Sequence, residues 1–344
     1  MSRYAEYLPV NVITGFLGSG KTTLLKRLLE SPDMAETAVL INEFGEVGLD
    51  HHLLEQVDEN IVMLQSGCLC CTVREDLATS MRDLWERRAE GEFGFKRLVV
   101  ETTGLADPAP IIYTLMADPV IRYHFRLGNI ITTVDAVNGL SQLDRQPESL
   151  KQAAVADRLV LTKTDITNES ASELCARLRD VNPAAPVFLA QEKLTATKLL
   201  NNDLYDPKAK SKEVMHWINA EAFSDVPHHH HDRNRHDTNI RSFCLTFDQP
   251  IDWTTFGIWL TMLLQAHGED VLRVKGLIDV RGMMGPVAVH GVQHVVHPPV
   301  HLKRWPGDDR RSRIVFIVRG LEQKAIETSL AAFNALADNH SVAL

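Results

Sequence analysis

Gly15-Phe-Leu-Gly-Ser-Gly-Lys21-Thr22 meets the phosphate-loop pattern G-x-x-x-x-G-K-[ST] at every fixed position. Upstream, Val10-Asn-Val-Ile13 is a short β-branched run that reads as a buried strand. Downstream, Thr22-Thr-Leu-Leu-Lys-Arg-Leu-Leu29 has the apolar spacing of an amphipathic helix. Strand, glycine loop and helix form the context in which this motif binds phosphate. Gly15, Gly18 and Gly20 let the backbone wrap a phosphate chain, and Ser19 and Thr23 are expected to bind the nucleotide with them, their N–H groups in the loop and first helical turn facing the anion. Lys21 is expected to reach the β- and γ-phosphates and to act in catalysis, and the Thr22 hydroxyl to bind Mg²⁺.

Outward from that loop, short apolar strands alternate with helical stretches through the first two hundred or so residues. Strands are predicted at Ala38–Ile41, Ile61–Leu64, Arg97–Glu101, Asn129–Val134, Arg158–Leu161 and Pro186–Leu189, and helices near 22–30, 76–89, 108–117, 148–156 and 169–180. Such alternation implies an α/β phosphate-loop NTPase domain with a mostly parallel sheet covered on both faces. Ligands in these sheets lie at the carboxyl ends of strands, where each motif begins. A polar segment with a histidine tract then interrupts the pattern, with a helix predicted around Glu213–Ala222. Order resumes with a strand at Ser242–Phe247, a helix at Trp253–Ala266, strands at Val271–Val280, Val287–His297 and Arg313–Val318, and a helix at Leu321–Ala337. The domains expected are 1–205, a His-rich linker or loop at 206–240, and a smaller α+β domain at 241–344.

The net charge of −9 argues against a general nucleic-acid binder. No apolar run is long enough to span a membrane, and the N-terminus lacks the apolar core of a signal peptide. The expectation is a cytoplasmic protein. Of the five cysteines, three crowd into Cys68-Leu-Cys70-Cys71, and in a reducing compartment such a cluster serves metal binding or redox chemistry more often than disulfides.

Glu101-Thr-Thr-Gly104 ends an apolar strand and has the layout of the D-x-x-G motif of small GTPases. Glu101 is expected to hold Mg²⁺, directly or through water, and is the second residue assigned to catalysis. The Gly104 N–H is expected to sense the γ-phosphate. Thr162-Lys-Thr-Asp165 stands where guanine-specific proteins place N-K-x-D. Asp165 can accept hydrogen bonds from guanine N1–H and its 2-amino group, a donor pair that adenine does not present. The Lys163 stem can lie along the base. Thr162 replaces the usual Asn, so the pocket lacks an amide there. GTP is favoured over ATP. No water-orienting glutamine is evident, and Arg74 and Glu75 are either catalytic candidates or a solvated helix start. Slow intrinsic turnover is expected.

Cys68, Cys70 and Cys71 lie in the interval that carries the mobile switches of a GTPase. Three thiolates suit Zn²⁺ or a similar transition ion and leave a fourth position open. His228, His229, His230, His231 and His236 form a tract suited to weak, exchanging metal binding. His290, His294, His297 and His301 read as structural or surface residues.

Taken together, Thr14–Thr23, Asn42-Glu-Phe-Gly-Glu46, Gly67-Cys-Leu-Cys-Cys71 and Glu101–Gly104 resemble the CobW-type GTPases. Thr162–Asp165 and Gly104-Leu-Ala-Asp-Pro108 make the likeness strongest to the YjiA-like branch. Leu272-Arg-Val-Lys-Gly276 and Ser312-Arg-Ile-Val-Phe-Ile317 are similar to the CobW C-terminal domain. The resemblance implies a GTP-hydrolysing metallochaperone that passes zinc, or cobalt or iron, from the C-x-C-C thiolates to a client protein, with a homodimer as one option. Some YjiA-like members carry a metal-binding acid where this chain has Ile41, which leaves the fourth ligand open. A regulatory GTP-binding module that senses metal or redox state is the alternative. A kinase or ATPase is a third reading, against which Asp165 speaks.

Overall fold

The computed structural model describes residues 7–42, 61–64, 72–92, 94–166, 171–192, 194–201 and 240–341. The chain divides into two compact units, one comprising Met1–Leu178 with Ala185–Asp206, the other Arg179–Ala184 with Pro207–Leu344.

In the first unit the strands are β1 (Leu8–Gly15), β2 (Thr37–Asn42), β3 (Ile61–Leu64), β4 (Arg97–Glu101), β5 (Phe125–Asp135), β6 (Arg158–Thr162) and β7 (Val187–Leu189). Between them come α1 (Lys21–Leu29), α2 (Thr72–Ala89), α3 (Ala109–Ala117), α4 (Ile121–His124), α5 (Gly139–Arg145), α6 (Pro147–Val155) and α7 (Ala171–Val181), and α8 (Ala196–Leu200) follows β7. The seven strands lie in the order β3-β2-β4-β1-β5-β6-β7, and every pairing is parallel. All eleven residues of β5 are buried, as a strand covered on both faces requires. Ile13, Val39, Val99, Ile131 and Val160 form one face of the sheet's core with Leu24, Leu25 and Leu28 of α1.

Register brings the chemistry to one edge. Ile13 of β1 is level with Glu101 of β4, Gly15 with Thr133 of β5, and Asp135 with Thr162 of β6. The chain runs to one side of β1 for β2 to β4 and to the other for β5 to β7, so β1 marks a topological switch point, where such sheets open a crevice at their carboxyl ends.

The second unit is a six-stranded sheet of β8 (Ile240–Phe247), β9 (Val271–Ile278), β10 (Val287–Val292), β11 (Val295–Val296), β12 (Val300–His301) and β13 (Ser312–Arg319). Its order is β11-β10-β9-β13-β8, with β12 on β10, and its pairings are antiparallel. Helices α9 (Trp253–His267) and α10 (Gln323–Ser341) place Phe256, Trp259, Leu264, Ile326 and Leu330 on Val274, Ile278, Val289, Ile314 and Phe316. The expected single strand over Val287–His297 is instead a hairpin. Val292 pairs with Val295 across Gln293 and His294, and Gln293 adopts φ 51° without being Gly or Asn. His290 and His297 are buried with their rings 4.5 Å apart, while His294 and His301 are exposed. The helix predicted near Glu213–Ala222 lies outside the described residues.

Candidate nucleotide-binding site

The phosphate loop leaves β1 and enters α1 with no residue to spare. Gly15, Gly18 and Gly20 take φ 143°, 70° and 86°, conformations that side-chain-bearing residues adopt at a cost. At Gly15 a Cβ would also fall on Thr133 and come within 2.7 Å of the Ser19 hydroxyl. Ser19 and Thr133 hydroxyls lie 2.7 Å apart, fastening the loop to β5. Lys21 folds back over the loop and donates to the Gly15 and Phe16 carbonyls at 3.0 and 3.2 Å. That places a cation, only 9% exposed, over the loop that would surround the phosphates. Thr23 stands in the first turn of α1.

Thr22 donates from its hydroxyl to Glu101 Oε1 at 2.6 Å, joining the start of α1 to the end of β4. Glu101 is 4% exposed. A hydroxyl and a carboxylate oxygen meeting beside a phosphate cradle suit the hard-oxygen preference of Mg²⁺. Beyond Glu101, Thr103 to Ala106 form a tight turn, closed by the Ala106 N–H on the Thr103 carbonyl at 3.1 Å. A Cβ on Gly104 would come to 2.7 Å of the Leu17 N and Cα atoms, so only glycine lets this turn lie on the phosphate loop.

On the other side, the Thr162 hydroxyl donates to the Ser19 carbonyl at 2.7 Å. The residue standing in for the usual Asn thus ties the Thr162–Asp165 segment to the Gly15–Gly20 loop. Lys163 has φ 58°, and its ammonium bonds Asp135 Oδ2 at 2.8 Å. Asp135 is 1% exposed. Burial pushes its pKa up, but hydrogen bonds from Lys163, the Asn138 side chain and the Val137 and Asn138 N–H groups outweigh it and hold the carboxyl below its ordinary range. Asp165 sits at the exposed rim of this loop, where an incoming base edge can reach it.

Lys21, Thr22, Glu101, Gly104, Lys163 and Asp165 are therefore all carried at the carboxyl ends of β1, β4 and β6. Cys68, Cys70, Cys71, Asn42-Glu-Phe-Gly-Glu46 past Asn42, and the tract His228–His231 with His236 lie outside the described residues. Ile41 is buried in β2 and faces the core. Sequence reasoning missed Asp135 and Gln152. The signal for Asp135 was present, since an acid ending a strand before Ala-Val-Asn138 is the start of an Asx-type turn. Gln152 carried no signal, because a polar residue in an amphipathic helix ordinarily faces water.

Comparison with known proteins bears on both units. Residues 9–189 match the model of the CobW/HypB/UreG nucleotide-binding domain, and residues 240–334 that of the cobalamin synthesis protein CobW C-terminal domain. The zinc chaperone YjiA of Escherichia coli is 32% identical over 328 residues, spanning 94% of this chain and 98% of that protein. The zinc chaperone CobW of Pseudomonas aeruginosa is 30% identical over 364 residues, spanning 94% and 90%. The crystal structure of Zn(II)-bound YjiA GTPase from E. coli superposes with a TM-score of 0.68 at 28% identity, covering 95% of this chain and 99% of that one.

Proposed function

Since the chain belongs to the CobW/HypB/UreG family, we propose that it is a GTPase that binds a divalent transition metal, zinc before cobalt or iron, and hands it to a client protein in the cytoplasm. The domains assigned to this work are 1–205 for nucleotide, 241–344 for the C-terminal module, and 206–240 between them. The observation that carries the nucleotide half is the Thr162–Ser19 hydrogen bond, because it joins a base-reading loop to a phosphate loop beside the Thr22–Glu101 pair. A site with those three parts in one crevice suits a guanine nucleotide with its metal.

Hydrolysis in such a site is positioning and charge stabilisation with no covalent enzyme intermediate. Loop N–H groups and Lys21 offset the charge on the β- and γ-phosphates as the leaving oxygen develops. Thr22 and Glu101 would hold Mg²⁺, which supplies Lewis-acid neutralisation of the phosphate oxygens. Gly104 reads the γ-phosphate through its N–H. Asp165 accepts from guanine, while Lys163, anchored on Asp135, lines the base.

Zinc is cargo here, held by Cys68, Cys70 and Cys71, with the histidine tract as an accessory buffer. The similarity to zinc chaperones supports that assignment. Asn42 and Leu64 end β2 and β3 on the same sheet as the phosphate loop, so ordering around a γ-phosphate can reach the segments that follow them. The zinc affinity of the GTP-analogue-bound and GDP-bound protein, measured by chelator competition, should differ by about 5–150-fold. Linkage requires bound zinc to change GTP affinity by that same factor. Equal zinc affinities in the two states would refute a GTP-gated carrier. Nucleotide-gated zinc release that no client accelerates would instead favour the sensor module.

A further inference from the structure

We propose that Gln152 is a positioning residue for the γ-phosphate reader. The inference rests on the assignment of Gly104 to that role. Gln152 lies on α6 and is 1% exposed, although it belongs to neither a strand nor a loop of the site. Its Nε2 donates to the Gly104 carbonyl at 3.2 Å and to the Ala106 carbonyl at 2.9 Å. The two bonds grip the second and fourth residues of the turn whose first and fourth are already joined by the Ala106–Thr103 bond. They also fix which way the amide points, since Oε1 facing two carbonyls would repel them. Beside it, Lys151 makes an ion pair with Asp107, one residue past the turn. Gln152 is itself held, because its own carbonyl accepts from the Thr132 hydroxyl of β5 at 2.8 Å.

The grip has a functional consequence. Gly104 can reach a phosphate only if its turn stays pressed on Leu17, where even a Cβ has no room. A turn released from α6 samples other positions, and the affinity for any ligand that needs the pressed state falls by the fraction of time the state is lost. GDP, which has no γ-phosphate, makes no such demand. The clamp therefore adds to GTP affinity selectively. Among the described residues Gln152 Oε1, which is buried, has no hydrogen-bond donor, so the hydrogen bonds this side chain makes there are both directed at this turn.

The test measures binding of GDP and of a non-hydrolysable GTP analogue to the full chain. Gln152→Leu should weaken the analogue about tenfold, a coupling of ordinary size, and leave GDP within about twofold. Gln152→Met, nearer in length, repeats the measurement should the leucine variant fold poorly. Gln152→Glu adds a signature that a packing role would not produce. Its carboxylate faces two carbonyls and cannot donate, whereas its protonated form can donate to Ala106. Analogue affinity in that variant, taken relative to the parent at the same pH, should recover as pH falls, while the ratio for Gln152→Leu stays flat. Equal weakening of GDP and analogue, or no weakening of either, overturns the clamp. Gly104→Ala separates the two layers. If it costs analogue binding and Gln152→Leu does not, the clamp alone falls. If Gly104→Ala leaves analogue affinity at the parent's value, the reader assignment falls with it.

Discussion

Lys21 illustrates how a residue can be placed before its ligand arrives. Its ammonium is held by the Gly15 and Phe16 carbonyls, so little side-chain freedom remains to be lost when a phosphate binds. Lys21→Ala should lower GTP turnover by about 10²-fold or more, the usual cost of removing one preorganised stabiliser of developing charge. Phosphate release under saturating GTP checks it, and full turnover would remove Lys21 from the site. The role proposed for Asp165 is of a different kind, one of selection. Asp165→Asn replaces an acceptor by a donor where guanine presents donors, so it should weaken GTP and improve xanthosine triphosphate, whose 2-oxygen accepts. A site built around hydrogen bonds discriminates strongly when one partner is mismatched. Competition by ATP as effective as by GTP in the unaltered chain would remove the guanine assignment. Both residues were readable in the sequence because each belongs to a motif with fixed spacing. Asp135 was not, since the residue it serves, Lys163, lies 28 positions away.

At the scale of elements, β5, β6 and α6 form the frame on which the site hangs. Asp135 ends β5, and its bonds to Lys163 and Asn138 set the course of two loops at once. Its pKa is depressed in the folded state, so its stabilisation is present above the ordinary carboxylate value of 3.8 and is lost as pH falls through the lower folded value. Asp135→Asn should therefore cost about 1–3 kcal/mol at neutral pH, and the gap to the parent protein should close in acid. Paired thermal melts at neutral pH and below pH 3.8 check the sign. A gap that widens in acid would contradict it. The hairpin at Gln293 shows where element boundaries escape the sequence. Val287–His297 carries valines at 287, 289, 292, 295 and 296 and reads as one strand, and the two-residue turn lacks the Gly or Asn that normally announces it. Pairing of β11 back onto β10, with His290 and His297 buried together, outweighs the local cost of the positive φ.

For the whole molecule, the all-parallel sheet matters because it gathers loops from distant sequence at one edge. Among the described residues no helix is long and apolar enough to cross a membrane. The proposed zinc cysteines follow β3 in sequence, and β3 is separated from β1 by β2 and β4 in the sheet. Cys70→Ala combined with Cys71→Ala should abolish tight zinc binding and the zinc dependence of GTP affinity, yet leave GTP binding without zinc within about twofold of the parent. Isothermal titration of GTP with and without zinc checks both halves. A variant that keeps the zinc-dependent shift would move the metal site away from these cysteines.

The sequence by itself determined the architecture. The strand, loop and helix around Gly15–Thr22, the alternation that follows, and the separate pattern from Ser242 onward specify a mostly parallel sheet and then a second, smaller α+β unit, because periodicity and glycine placement are local properties. It also marked Lys21, Thr22, Glu101, Lys163 and Asp165, whose motifs have fixed spacing. Tertiary structure alone decided what connects them. That Thr162 reaches Ser19 across 143 positions, that Asp135 anchors Lys163, and that Gln152 turns inward to hold Gly104 all depend on strand register and helix rotation. Those are set by how the whole sheet packs, and no local pattern of residues records them.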